Sequence, residues 1–177
     1  MFSNLTAFTK LHVVISLIGI LTGLVVMFGL LVGQKLKRWT AVFLISTVAT
    51  SVTGFFFPFH GVTPRIVVGI ISLVLLAGAT VARYARHLAG PWRWIYVVCA
   101  MIALYLNVFV LVAQLFQKVP ALKTLAPTQS EPPFAVTQLV VLALFVLLTI
   151  IAAIRFRREQ PGRAGSGSLS LQVSDKL

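Results

Sequence analysis

The stretch "LHVVISLIGILTGLVVMFGLLVG", from Leu11 to Gly33, is the first of several long apolar runs, and it decides the kind of fold. It contains no Asp, Glu, Lys or Arg. A run of about 20 apolar residues is long enough to cross a hydrocarbon core of roughly 30 Å as a helix. The basic cluster "QKLKRW" follows the run instead of preceding it, so the run is predicted to be a retained span and not a signal peptide.

Four more uncharged apolar runs follow along the chain. Inside a bilayer only helices and closed barrels satisfy every backbone polar group, and these runs are continuous where barrel strands would alternate. The sequence therefore predicts an all-α integral membrane bundle in a single domain, residues 1–158. The five predicted transmembrane helices are 11–33, 40–59, 66–82, 94–117 and 134–154.

The composition agrees with a membrane protein and excludes an ordinary soluble domain. Of the 177 residues, 59% are hydrophobic and only 10% are charged, yet the formal net charge is +12. The bases flank the apolar runs instead of forming one patch, so we interpret them as orienting the chain in the lipid bilayer and predict no nucleic-acid partner. The single cysteine, Cys99, excludes an intrachain disulfide.

The basic residues also predict the orientation of the five spans. Of the 15 Lys and Arg residues, eleven fall on one side and four on the other. Under the positive-inside rule the N-terminus lies outside and the C-terminus in the cytoplasm. Residues 159–177, rich in Gly and Ser, are predicted to form a disordered cytoplasmic tail. The outer bases are Lys10, Arg65, Lys118 and Lys123.

Polar residues inside the spans are the first candidates for a site. Asn107 lies near the predicted midplane, where an amide needs hydrogen-bond partners. With Gln114 on the same helix and Thr50 in the hydroxyl-rich second span, it predicts a polar path or substrate site. The alternative is a structural bond between helices, which one amide and a facing hydroxyl would satisfy.

The first span carries two GxxxG motifs, which predict close helix packing. Small residues at this spacing let two backbones approach, either within the chain or between two copies. A homo-oligomer formed through these glycines is therefore one hypothesis. The glycines are Gly19, Gly23, Gly29 and Gly33.

The predicted topology brings His12, His60 and Glu131 to the outer surface. Two imidazoles and a carboxylate form a plausible metal-ligand set, but no spacing motif fixes them, and no metal site is assigned. The same histidines are hypothetical ligands of a haem, or partners of a quinone held among the nearby phenylalanines. No catalytic residue is predicted.

Glu131 lies in the loop "LAPTQSEPPF", Leu125 to Phe134, between the fourth and fifth spans. Its three prolines push the preceding residues toward extended backbone, which predicts a semi-rigid lid over the outer end of the bundle. We expect Glu131 to pair with Lys118, Lys123 or Arg65, or to lie at the start of the next helix.

Three segments of the chain carry a resemblance to known sequences: "TSVTGFFFPFHG", "ARYARHLAGPWRWIYVV" and "YLNVFVLVAQLFQKVPALKTLAPTQSEPPF". They resemble segments of a family of small multipass proteins of the bacterial inner membrane. The resemblance implies an inner-membrane location and no particular activity.

On the residues alone, we expect a non-enzymatic protein, either an accessory subunit or a small-solute binder or transporter. The alternative is a haem- or quinone-binding redox protein that uses His12 and His60.

Overall fold

The computed structural model describes residues 7–56 and 64–158, without the side chains of residues 64, 65, 157 and 158. Within these ranges the chain forms helices and no strand, as predicted. His60 and the predicted tail lie outside the described residues. The helices are α1 (Ala7–Leu31), α2 (Lys37–Gly54), α3 (Pro64–Thr80), α4 (Trp92–Lys118), α5 (Pro120–Leu125) and α6 (Pro132–Arg158).

Four helical segments are long and apolar enough to cross a membrane: Ala7–Leu31, Ile66–Ala85, Trp92–Lys118 and Pro132–Phe156. Helix α2 is not among them, because Lys37, Arg38 and its many hydroxyl residues lower its mean hydropathy. The part of the chain that the structure describes is thus all-helical, with four candidate membrane spans.

The first two helices form an antiparallel hairpin with a continuous register. His12 contacts Thr53, Gly19 approaches Ser46, and Gly29 approaches Leu36, so the position on α2 falls as the position on α1 rises. Helix α1 also packs on α4 and α6, while α3 packs between α2 and α4. The buried core lies where these helices meet, around Phe43, Tyr96 and Leu104.

Gly33 ends α1 and is not part of a helical GxxxG motif. Its φ of 76° is left-handed, a conformation that glycine adopts without a Cβ penalty. The Gln34 N–H donates to the Gly29 carbonyl and the Gly33 N–H donates to the Leu30 carbonyl. This pair of bonds is the Schellman motif of a helix C-terminus. The second GxxxG of the sequence is therefore partly a helix cap.

The C-terminal end of α3 continues into a π-helical turn, Val81–Ala85. The Arg86 N–H reaches the Val81 carbonyl and the Leu88 N–H reaches the Ala82 carbonyl. His87 and Leu88 then take positive φ values of 49° and 57°, which are uncommon for residues other than glycine. Burial of the Leu88 side chain holds this turn against the core.

Candidate functional site

The polar residues of α2 and α4 meet near the middle of both helices. Asn107 Nδ2 donates to Thr47 Oγ1 across 3.2 Å, and Thr47 is fully buried. A Cβ at Gly19 would stand 3.3 Å from the hydroxyls of both Ser46 and Thr47 and 3.7 Å from Asn107 Nδ2. Gly19 therefore makes room for a polar junction of three helices, the arrangement expected of an interhelical bond.

The other predicted site residues are less clearly joined to this junction. Thr50 lies one turn beyond Thr47, and its buried Oγ1 has no hydrogen-bond partner among the described residues. Gln114 is half-buried two turns beyond Asn107 on α4. The substrate-binding role of Asn107, Gln114 and Thr50 stays a prediction.

Gln138 is a buried amide that the sequence reading passed over. It is 8% exposed, and its Nε2 donates to the Phe109 carbonyl of α4 across 3.2 Å. Its Oε1 is buried and has no partner among the described residues. In the sequence, this bond is indicated only by the position of Gln138 inside an otherwise apolar run, because a glutamine there favours a hydrogen bond to a neighbouring helix.

The glycines of α1 pack within the chain. A Cβ at Gly23 would come within 2.5 Å of Leu104 Cδ1 and 2.9 Å of the Phe43 ring. Gly29 faces Leu36 in the same way, at 2.6 Å. These glycines let α2 and α4 approach α1, and self-association through them stays a prediction.

His12 contacts α2 at the open end of the hairpin. Its Nδ1 lies 2.7 Å from Thr53 Oγ1, and the single hydroxyl hydrogen of Thr53 is donated to the Ala49 carbonyl at 2.6 Å. Because that hydrogen is used, we assign Nδ1 of His12 as the donor. A metal-ligating or haem-ligating histidine uses its other nitrogen in the same arrangement. With His60 outside the described residues, the haem or quinone site stays a prediction.

The carboxylate of Glu131 folds back onto its own loop. Oε1 accepts from the Thr128 N–H at 3.1 Å and from the Thr128 hydroxyl at 2.9 Å, and Oε2 accepts from the Ser130 N–H at 3.1 Å. Desolvation opposes ionisation, but these hydrogen bonds outweigh it and lower the pKa of Glu131 below its ordinary value. Lys118 and Lys123 are not among the groups that shift this pKa.

Glu131 also begins α6, as the helix-entry interpretation expects. Its carbonyl accepts the Phe134 and Ala135 N–H groups, so Glu131 is the N-cap residue. Pro132 and Pro133 follow at the first two helical positions, where a backbone N–H would have no acceptor in the helix.

Gln129 attaches the loop to the bundle. Its Nε2 donates to the Ala113 carbonyl of α4 at 2.6 Å, and its Oε1 accepts from Gln117 Nε2 at 3.2 Å. Gln129 also takes a positive φ of 63°. These bonds hold the loop against the C-terminal end of α4, where Phe116 also packs edge-on against Phe134 at 5.4 Å.

A buried cation lies among aromatic rings where α3 ends. Arg83, in the π-helical turn, is only 8% exposed, and its guanidinium lies 5.3 Å from the Tyr96 ring centre and 5.9 Å from that of Tyr84. The Tyr96 hydroxyl is 3.2 Å from Thr40 Oγ1. Cation–π contacts of this kind partly compensate a charge that has been removed from water.

An open groove of about 590 Å³ lies next to Tyr84, on the surface between α2 and the end of α3. One wall is a single face of α2, and Thr80 and Tyr84 form the other. Two alanines, Ala41 and Ala49, provide the depth. The α2 wall consists of Ala41, Leu44, Ile45, Val48, Ala49 and Val52.

No family model, curated protein or solved structure matches the chain. Within residues 7–56 and 64–158, no group of three His, Cys, Asp or Glu side chains could hold a metal ion. The structural features that could serve a function are the polar junction at Asn107, the Glu131 loop, the buried Arg83 and the groove.

Proposed function

We propose that the chain is a five-span, non-enzymatic membrane protein that binds a small apolar or amphipathic molecule from the bilayer. The groove between α2 and α3 carries this proposal. Its volume, about 590 Å³, falls within the roughly 300–1,000 Å³ of small-molecule sites, which are also mostly apolar. Two non-enzymatic roles were expected, a small-molecule binder and an accessory subunit. The volume of the groove suits a binder better, because an accessory subunit would need a long helix face for contact with its partner.

The register of α2 against α1 supports α2 as a span in addition to the four candidate spans. The contacts run from His12 to Gly29 on α1 and from Thr53 to Leu36 on α2. Seventeen helical steps cover about 25 Å. If α1 crosses the hydrocarbon core, α2 returns across most of the same distance. Its hydroxyls suit this position, since Ser46 and Thr53 bond to carbonyls of their own helix.

An odd number of spans separates the two termini. The basic residues then favour an outer N-terminus and a cytoplasmic C-terminus. For the location we propose the inner membrane of a bacterium, supported by this charge distribution and by the resemblance of three segments to inner-membrane proteins.

Filling the groove tests the proposal. In the variant A41L/A49L two leucines replace the alanines that give the groove its depth, and the purified protein should retain much less bilayer lipid per chain. The matched control is A135L/A143L, the same change at two exposed alanines of α6. Equal lipid retention by wild type, A41L/A49L and the control, measured by native mass spectrometry, would contradict binding in the groove.

Thr50 favours a second candidate, a polar solute at the outer side of the Asn107 junction. Its buried hydroxyl has no partner among the described residues, and such a group costs roughly 1–3 kcal/mol when unsatisfied. A small solute with a hydrogen-bonding group would remove this cost. If N107L keeps its folding and any transport phenotype, this candidate is excluded.

A further inference from the structure

We infer that the molecule in the groove is an anionic phospholipid of the inner leaflet, with an acyl chain along α2 and its phosphate bound by Lys37 and Arg38. The inference rests on the proposed function, because the groove must take its ligand from the bilayer. It adds the charge of the ligand, its leaflet and the residues that recognise its headgroup.

The length of the groove matches one leaflet. Its α2 wall extends from Ala41 to Val52, which is about 16 Å along a helix axis. Half of a hydrocarbon core of roughly 30 Å is about 15 Å. One extended acyl chain therefore fits along the wall, with the two alanines leaving space for it and Leu44 as a buried floor.

Two exposed cations continue the same face of α2 beyond the groove. Arg38 and Lys37 lie three and four residues before Ala41, and residues at these spacings share a helix face. Helical side chains lean toward the helix N-terminus, which for α2 is the inner end. Both cations therefore extend toward the inner headgroup region, where a phosphate attached to the chain would lie.

Arg83 adds positive charge at the same end. Its guanidinium is buried against Tyr84, which is itself a wall of the groove. Among the described residues the only acid is Glu131, at the opposite, outer end, and it is bonded to its own loop. The inner mouth of the groove therefore has several cations, and none of the described residues places a carboxylate near them. This positive charge favours an anionic headgroup over a zwitterionic one.

The test compares two lipids with identical acyl chains, phosphatidylglycerol and phosphatidylcholine, by native mass spectrometry of the full-length protein in neutral detergent. For K37Q/R38Q we expect the preference for phosphatidylglycerol to fall about 30-fold, since each base near an anionic headgroup contributes roughly 1 kcal/mol and 1.4 kcal/mol is tenfold. The control K118Q/K123Q removes two charges at the outer end and should keep the preference. K37R/R38K keeps both charges and should also keep it.

Each outcome separates the two proposals. If A41L/A49L loses both lipids while K37Q/R38Q keeps the wild-type preference, the groove binds lipid but the anionic inference is wrong. If A41L/A49L keeps both lipids, the proposed function fails and the inference fails with it. Competition by glycerol 3-phosphate as strong as by the whole lipid would also overturn the inference, because it would show a phosphate site without a chain groove.

A second measurement tests the inference on the wild-type protein, in case a variant fails to fold. On wild-type protein, raising the salt from about 0.05 to 0.5 M shortens the screening length severalfold. The preference for phosphatidylglycerol should then fall. A preference that does not change with salt would contradict binding by exposed cations.

Discussion

Asn107 of α4 donates a hydrogen bond to Thr47 of α2, across 3.2 Å, at the point where Gly19 of α1 leaves space for both side chains. This junction joins α1 and α2, which follow each other along the chain, to α4, which lies far from them in the sequence. It gives the most prominent polar residue of the membrane region a structural partner, and it can be tested by a double-mutant cycle.

In that cycle, T47V and N107L are made singly and together. We expect a coupling free energy of about 0.6 kcal/mol, and at most about 1.7 kcal/mol, which is the range for hydrogen bonds between membrane helices. The free energy of unfolding in detergent is the measurement. A coupling indistinguishable from zero would mean that the Asn107 amide does not stabilise the fold through Thr47, and would favour the solute hypothesis.

Gly23 should not tolerate a methyl group. The Cβ of G23A would stand 2.5 Å from Leu104 Cδ1 and 2.9 Å from the Phe43 ring. We expect a loss of about 1–3 kcal/mol of unfolding free energy, the usual cost of overpacking. The control is G54A, whose Cβ would meet no described residue nearer than His12 Cε1, at 3.8 Å. Similar losses in both variants would show that α1 and α2 are not packed as described.

Gly33 should require its left-handed conformation. At a φ of 76°, G33A is expected to lose about 1–2 kcal/mol, because a Cβ crowds the following carbonyl. G33N should lose less, since asparagine adopts this region more readily than alanine. The unfolding free energies of the two variants should therefore differ, and equal values would contradict the Schellman cap.

The Glu131 loop should be weakened by acid. Hydrogen bonds lower the pKa of Glu131 in the folded protein, so its ionised form stabilises the fold above the ordinary glutamate pKa, about 4.3. This contribution is lost as the pH falls from there through the lower folded value. The difference in melting temperature between wild type and E131Q should accordingly shrink over that window. A constant difference down to pH 3 would contradict the bonds to Thr128 and Ser130.

The five-span topology predicts where two exposed positions can be labelled. In a C99A background, Q34C lies in the connection between α1 and α2 and T128C lies in the outer loop. An impermeant thiol reagent added to intact cells should label T128C and leave Q34C unlabelled until the cells are opened. A C-terminal reporter should be active on the cytoplasmic side. Labelling of both positions in intact cells would overturn the topology.

The apolar runs of the sequence were sufficient to predict an all-helical membrane protein, because backbone groups in hydrocarbon have few ways to be satisfied. The helix start at Glu131, Pro132 and Pro133 was also readable, since proline fits where an N–H has no acceptor. The sequence further indicated Asn107 as a residue in need of a partner. The sequence did not predict the short helix α5, which begins at Pro120 and ends at Leu125.

The rest was decided by tertiary structure, because it depends on which faces of different helices meet. Only the antiparallel register of α1 and α2 joins Asn107 to Thr47 through the space at Gly19. Gly23 and Gly33 both end a GxxxG motif in the sequence. In the structure, Gly33 caps a helix, whereas Gly23 leaves space for the ring of Phe43. The groove is likewise formed where an apolar face of α2 lies opposite Thr80 and Tyr84, and residue spacing within one helix does not show which helices lie next to each other. By itself the sequence determined the helical, apolar character of the candidate spans, and packing determined which side chains line the groove.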